Sequence, residues 1–258
     1  MRIIVLVKQI LDPAGITVRR DKERVFINRE EYIVEPGSKA AIEAALRLKG
    51  NGDEVIALAM GESRADDALR EALAMGCDAA FLLSDKEFKE ADISVTARIL
   101  AAAVEKLGGC DLVVAGRESG DTGAGQIGPR LAEALGYAQV TDVYTLRARD
   151  DKIEATRRWA TGIAAVETAV PAIVTVAPEA FPPRYAHGAR IMNAYRDWDV
   201  TTWDAADLDL DETALKPLLV KRSESFPPPL EVGEQFRGDA VDVAQDVVLA
   251  LKLQNLVA

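Results

Sequence analysis

The stretch best suited to chemistry is Gly116–Gly128, GRESGDTGAGQIG. It lies between an apolar run, Asp111–Gly116 (DLVVAG), and a helix-like segment, Pro129–Gly136 (PRLAEALG). Gly116, Gly120, Gly123, Gly125 and Gly128 strip side chains from a turn just past a strand end. Backbone N–H groups in such a turn approach a phosphate closely, and the N-terminus of the following helix favours an anion. The spacing matches neither G-x-G-x-x-G on a first strand–helix turn nor G-x-x-x-x-G-K-[ST]. Two readings therefore stand: a phosphate or nucleotide cradle, and a flexible surface loop of the kind glycine clusters also mark.

Little else in the chain is equipped for bond chemistry. His187 is the only histidine, which argues against a His-based triad or metal site. Cys77 and Cys110 lie far apart, form no metal-ligand spacing and fit a reducing compartment. No nucleophile–base pair, metal cluster or close carboxylate pair stands out, so no catalytic or metal-ligating residue is assigned. A net charge of −11 argues against nucleic acid or an anionic membrane as partner. It leaves room for a nucleotide, which one local loop can hold against the global field. No apolar run approaches the roughly 18 residues of a membrane span. The opening MRIIVLVKQ reads as a buried strand rather than a signal peptide, so the expected location is cytoplasmic, without membrane insertion.

The elements that must position the glycine loop follow from periodicity. Apolar runs at residues 2–8, Glu54–Met60, Ala79–Leu83, Leu112–Ala115 and Pro171–Val176 read as strands buried on both faces. Helical patterns separate the first four. One follows Pro36-Gly37-Ser38, with Ser38 as expected N-cap; the others end at Gly76 and cover about residues 92–107. Strand–helix alternation implies a mostly parallel, doubly wound α/β sheet. Ligands in such sheets sit beyond the strand carboxyl ends, here Lys8–Asp12, Met60–Ser63 and Gly116–Gln126, with Glu35–Ser38 able to join them. A short hairpin is expected over Ile16–Val18 and Arg24–Ile27. Val140–Leu146, Ile153–Trp159 and Gly162–Thr168 read as a small antiparallel portion. Residues 1–193 then form one α/β nucleotide-binding domain. Residues 194–258, acidic and polar, read as an extended arm closed by an amphipathic helix, Asp239–Leu256, and packing either on another chain or on its own domain.

In order and spacing, the segments over about Met1–Ala194 resemble the β subunit of electron transfer flavoprotein, in a divergent form. The resemblance rests on LVKQILD (Leu6–Asp12), EPGSKAAIEAALRLK (Glu35–Lys49), ALREALAMGCDAAFLL (Ala68–Leu83) and DLVVAGRESGDTGAGQIGPRLAEALGYAQVT (Asp111–Thr141). Pro171–Val176 and Pro183-Arg184-Tyr185 complete it. It implies an adenine nucleotide α-hydrolase-like fold. It implies an αβ heterodimer that carries electrons on an FAD held mostly by the α subunit, from a flavin dehydrogenase to an acceptor such as a membrane quinone oxidoreductase. It also implies AMP in a site of the β subunit's own, or, in bifurcating members, a second FAD beside which NADH is oxidised. A stand-alone nucleotide-binding protein of the universal-stress type is the reading from a different class; such a protein would not need the arm.

Carried over by position, the implied site is Leu6, Glu35, Pro36, Gly37, Ser38, Met60, Gly116, Arg117, Asp121, Thr122, Gly123, Ala124, Gly125, Gln126 and Ile127. Residues 123–126 would offer N–H groups to phosphate. Asp121 and Thr122 would cap the next helix or meet ribose and phosphate. Leu6 and Met60 would sandwich adenine. Glu35 stands where the family has Asn, bringing a carboxylate near the nucleotide. Gly37 stands where a bulky residue is common, leaving space that would suit a flavin. Residues 178–188 match the dehydrogenase-recognition loop, with Ala180, Phe181, Arg184 and Tyr185 as candidate contacts. The family's anchoring leucine is Ala180 here, and Phe181 is expected to protrude in its place.

Overall fold

The computed structural model describes residues 1–219, 222–229 and 232–257. The chain divides into two units, one of residues 1–19 and 24–221, the other of residues 20–23 and 222–258. In chain order the first unit contains β1 (Arg2–Val7), β2 (Gln9–Leu11), β3 (Ile16–Arg19), β4 (Arg24–Ile27), β5 (Tyr32–Val34), α1 (Pro36–Leu48), β6 (Glu54–Met60), α2 (Asp66–Met75), β7 (Ala79–Leu83) and α3 (Ile93–Lys106). It continues with β8 (Leu112–Gly116), α4 (Ile127–Leu135), β9 (Ala138–Arg149), β10 (Lys152–Trp159), β11 (Gly162–Ala169), β12 (Ala172–Val176), α5 (Gly188–Arg196), β13 (Thr201–Trp203) and α6 (Glu212–Leu215). The second unit carries α7 (Ala240–Leu253).

The organising sheet runs β11-β10-β9-β12-β8-β1-β6-β7-β13. From β9 to β13 along that row every pairing is parallel, while β10 pairs antiparallel with both β9 and β11. The fold is therefore α/β with a small antiparallel flank. Continuous apolar sequence is what lets the central strands lie between two helix layers. On one face Ile3, Val5, Ala57, Leu82, Val114 and Val174 pack with α1 and α2. On the other, Ile4, Leu58, Leu83, Val113 and Ile173 pack with α3 and α4. Each fully buried large aliphatic side chain contributes roughly 1.5–3 kcal/mol.

Local caps differ from the sequence reading at two places. Helix α1 is capped by Glu35, whose carboxylate accepts from Ser38 N at 2.7 Å. Pro36 fixes the first helical φ and lacks an N–H, so the helix starts there rather than after Ser38. Ser38 Oγ instead accepts from Lys8 N at 3.0 Å and ties the end of β1 to α1. Helix α4 begins at Ile127, with Pro129 inside the first turn, where a missing N–H costs nothing.

The break expected between residues 193 and 194 lies instead between 221 and 222. Ala194 is fully buried in α5, which packs on α2. Strand β13 extends the sheet beyond β7, with the Phe81 and Trp203 rings 4.6 Å apart. Ala205, Leu208 and Leu215 then bury themselves in the core on the α3 side. Of the arm expected over 194–258, residues 220, 221, 230, 231 and 258 lie outside the described residues. In α7 none of the described residues is buried, and Val241, Val248, Leu249 and Leu253 are exposed. Among the described residues no helix is long and apolar enough to cross a membrane.

Candidate nucleotide site

Starting from β1, the chain winds outward through β6 to β7. It then crosses back to β8 and winds the other way to β12. The reversal between β1 and β8 parts the loops at their carboxyl ends, the usual place for a ligand in an open α/β sheet. A cavity of about 610 Å³ lies there. Its apolar wall includes Leu6, Leu58, Met60, Ile93, Leu100, Ala115, Ile127 and Leu219. Lys8, Glu35, Ser38, Asp92, Thr96, Arg117, Glu118, Ser119, Thr122 and Gln126 supply polar atoms. A mostly apolar wall with a few convergent polar groups is the ordinary composition of a small-molecule site, and the volume lies within the range of about 300–1,000 Å³ such sites span.

Three helix N-termini contribute residues to the cavity, and their capping distinguishes them. Glu35 caps α1. Asp92 caps α3 by accepting from Ser94 N and Val95 N. Helix α4 has no side-chain cap, because Gln126 turns its Oε1 to Arg130 Nε at 3.0 Å. The first-turn N–H groups of α4 have no intrahelical partner and no capping side chain. The helix dipole adds partial positive charge at the same point. Of the three N-termini, α4 is the one without a side-chain cap competing for an anion.

The side-chain charges at the cavity are internally paired. Lys8 Nζ lies 2.7 Å from Asp121 Oδ2 and donates to Ser119 Oγ at 3.2 Å. Arg117 reaches Glu118 at 2.9 Å and Asp142 at 3.1 Å. Burial alone would raise the Asp121 carboxyl, but hydrogen bonds from Lys8 and Ser119 hold it below the usual carboxylate range. Burial also pushes the Cys77 and Cys110 thiols up to about 12, which leaves both without thiolate character at neutral pH.

The structure brings most of the sequence-derived residues together. Leu6, Glu35, Ser38, Met60, Gly116, Arg117, Thr122, Ala124, Gly125, Gln126 and Ile127 all line the cavity. Pro36, Gly37, Asp121 and Gly123 do not. Asp121 does not cap α4, since the helix starts six residues further on and Lys8 occupies its carboxylate. Gly37 stands outside the cavity lining. A Cβ there would stand 2.9 Å from Glu35 Oε2, and one on Gly116 would stand 2.9 Å from the Gly37 carbonyl carbon. The two glycines let β8 and α1 approach backbone to backbone, which closes the gap a bulky residue would otherwise occupy. The Glu35 carboxylate borders the cavity but is held by its own helix. The sequence places Lys8 among the strand ends facing the ligand but gives no sign of Asp92, which the topology brings to the loop.

Residues 24–208 match the family model described as electron transfer flavoprotein domain, a span that contains every cavity loop except the end of β1 and Leu219. The chain is 37% identical over 230 residues to the electron transfer flavoprotein subunit beta of Clostridium acetobutylicum, covering 87% of this chain and 88% of the relative. It is 34% identical to the protein of the same name from Thermoanaerobacterium thermosaccharolyticum, with both chains covered in full. It is 35% identical to the caffeyl-CoA reductase-Etf complex subunit CarD of Acetobacterium woodii, again over the whole of both chains. The chain belongs to the electron transfer flavoprotein β-subunit family. Its role is accordingly in electron transfer.

In residues 178–188, the stretch expected to meet a dehydrogenase, the exposed side chain is not the expected one. Phe181 does not protrude; it is 5% exposed, belongs to the core on the α1 side, and has the Arg47 guanidinium 5.9 Å from its ring centre. Ala180 is partly buried against the same core. Arg184 is tied to Glu43, with Nε 2.7 Å from Oε2. Tyr185 is the fully exposed residue of the four. Phe181 turns inward because a large ring next to the helix-side core gains more from burial than from solvent.

Proposed function

We propose that the chain is the β subunit of a heterodimeric electron transfer flavoprotein, carrying electrons between a flavin dehydrogenase and a downstream acceptor, and that its cavity holds AMP. The observation that carries the cavity assignment is the uncapped N-terminus of α4 set beside an apolar wall at the sheet's switch point. The apolar wall suits adenine, and the α4 N–H groups suit the phosphate. The electron-carrying FAD, held mostly by the α subunit, supplies the redox chemistry. This chain's residues position and bind. The exposed apolar stripe of α7 is the surface proposed to dock on the α subunit. Tyr185 is proposed as the residue offered to the dehydrogenase, and a membrane quinone oxidoreductase is a candidate acceptor.

The test is to purify the chain with its α subunit, denature the complex and identify the released ligands by mass spectrometry. One FAD and one AMP per heterodimer is the expected result. Two FAD molecules would replace AMP by a second flavin and make the complex a bifurcating one. Release of FAD with no second adenine nucleotide would overturn the cavity assignment.

A further inference from the structure

Asp92 does more than cap a helix. Its Oδ1 accepts from Ser94 N at 2.9 Å and Val95 N at 2.8 Å, the first turn of α3. Its Oδ2 accepts from Leu218 N at 2.7 Å and Leu219 N at 2.8 Å, residues 126 and 127 positions away in sequence. A carboxylate has about four lone-pair sites, and this one fills them all with backbone N–H groups. Burial opposes ionisation here, but these four donors hold the carboxyl below its ordinary range.

The segment so fastened belongs to the cavity. Leu219 lines it alongside Asp92, Ile93 and Thr96, yet Leu219 is 64% exposed, so it stands at the rim between ligand space and solvent. Upstream, Leu215 is buried in the core and Arg98 Nη2 donates to Lys216 O at 3.2 Å. Residues 216–219 therefore form a strap with one end sunk in the core. The exposed end has little apolar contact of its own: Leu218 is 71% exposed. Both backbone N–H groups of that end, those of Leu218 and Leu219, donate to one carboxylate.

We propose that Asp92 is a positioning residue for ligand retention: by fastening Leu218 and Leu219 to the start of α3, it holds Leu219 on the rim and slows release of the nucleotide. The inference rests on the reading of the cavity as an adenine-nucleotide site. It assigns no contact between Asp92 and the nucleotide; the effect passes through the strap.

Serine separates the two roles of Asp92. It caps a helix about as well as aspartate, but one short hydroxyl cannot also reach two amides of another segment. The experiment compares wild-type and Asp92→Ser heterodimers loaded with radiolabelled AMP and diluted into excess unlabelled AMP. Amide hydrogen exchange is followed over residues 93–106 and 215–219. The expected result is unchanged exchange in α3, faster exchange at Leu218 and Leu219, and AMP release accelerated at least about tenfold, the worth of a single weak hydrogen bond to a charged group. Leu219→Ala, which leaves every Asp92 bond in place, should speed release without changing exchange at residue 218. Faster exchange with an unchanged AMP release rate would overturn the strap's role, and unchanged exchange at 218–219 would overturn the fastening itself. A wild-type complex that takes up no AMP would instead overturn the nucleotide reading, and the proposal with it.

Discussion

The two ends of the parallel sheet both open into cavities, and the larger is the less equipped to bind. At the carboxyl end about 610 Å³ is enclosed; at the amino end of β7 a cleft of about 810 Å³ is lined by Lys49, Asp78, Arg184, His187, Arg190 and Trp198, among others. The amino-end cleft borders the C-terminus of α2, whose orphan carbonyls would attract a cation. They are already taken: Arg190 donates to Ala74 O at 2.8 Å and to Leu73 O at 2.9 Å, and its guanidinium lies 5.0 Å from the Trp198 ring centre. Asp78 is bonded by Lys49 and by Val55 N, and Arg184 by Glu43. At the carboxyl end the α4 first turn is left without a cap. Volume does not separate the two ends. Backbone donors left unspent beside an apolar wall do.

The largest effect that sharpens this contrast should come from Gly125→Val. Gly125 has φ +61, and a Cβ there would find ordinary spacing, 3.6 Å from Arg117 O. The penalty is therefore backbone strain rather than a clash. The left-handed region costs an L-residue about 1–2 kcal/mol, and a β-branched one more. The loop would relax away from the geometry that presents its N–H groups, and nucleotide content of the purified complex should fall roughly tenfold or more. Gly125→Ala should lose less. An unchanged nucleotide content in the valine variant would mean that the loop is not the cradle and would remove the distinction between the two ends.

What was legible in the sequence follows the same division. Strands β1, β6, β7, β8 and β12 announce themselves as unbroken apolar runs, because a strand covered on both faces needs no polar alternation. The glycine loop was legible because only glycine tolerates close approach and positive φ together. Strand β13 was not: three residues, Thr201–Trp203, at a sheet edge carry no periodicity, and their place beside β7 is a tertiary fact. Helix α5 hides likewise, since Ala194 is the one residue in it that is buried. At the site, Asp92 is a single charged residue distant from the loop in sequence, and no local pattern marks a residue whose role depends on a crossover. Phe181 and Tyr185 were misordered because exposure within an irregular segment is decided by which ring finds the core.

A middle-sized effect is expected at the amino end, on stability alone. Glu43 is 5% exposed and holds Arg184 Nε at 2.7 Å and Arg47 Nε at 2.7 Å. Burial by itself would raise this carboxyl, but hydrogen bonds from Arg184 and Arg47 outweigh it and leave it below the usual carboxylate range. A carboxyl lowered in the folded state contributes stability above its unfolded pKa, near 4.3, and loses it as pH falls through the folded value. Glu43→Gln should therefore cost about 1–2 kcal/mol at pH 7, the worth of charged hydrogen bonds discounted for two half-exposed arginines. The gap between variant and wild type should narrow in thermal melts taken toward pH 3. Nucleotide content should stay at the wild-type level. Its loss would couple the two ends of the sheet and undo their separation.

The smallest structural effect should accompany a functional one at Tyr185. Its side chain is fully exposed, so Tyr185→Ala should change stability by less than about 0.5 kcal/mol, as surface substitutions do. Nucleotide and flavin content should not move. If this ring is offered to the dehydrogenase, electron transfer from that enzyme should slow, because an exposed aromatic that fills a partner pocket carries a disproportionate share of binding. The rate at saturating dehydrogenase should recover, since the defect lies in association. Phe181→Ala is the instructive opposite. A buried phenyl ring removed from the α1-side core costs about 3–5 kcal/mol, so its first symptom should be a lowered melting temperature. Should Tyr185→Ala leave the rate untouched at every dehydrogenase concentration, the exposed ring is not the contact, and the amino end of the sheet would be structural throughout.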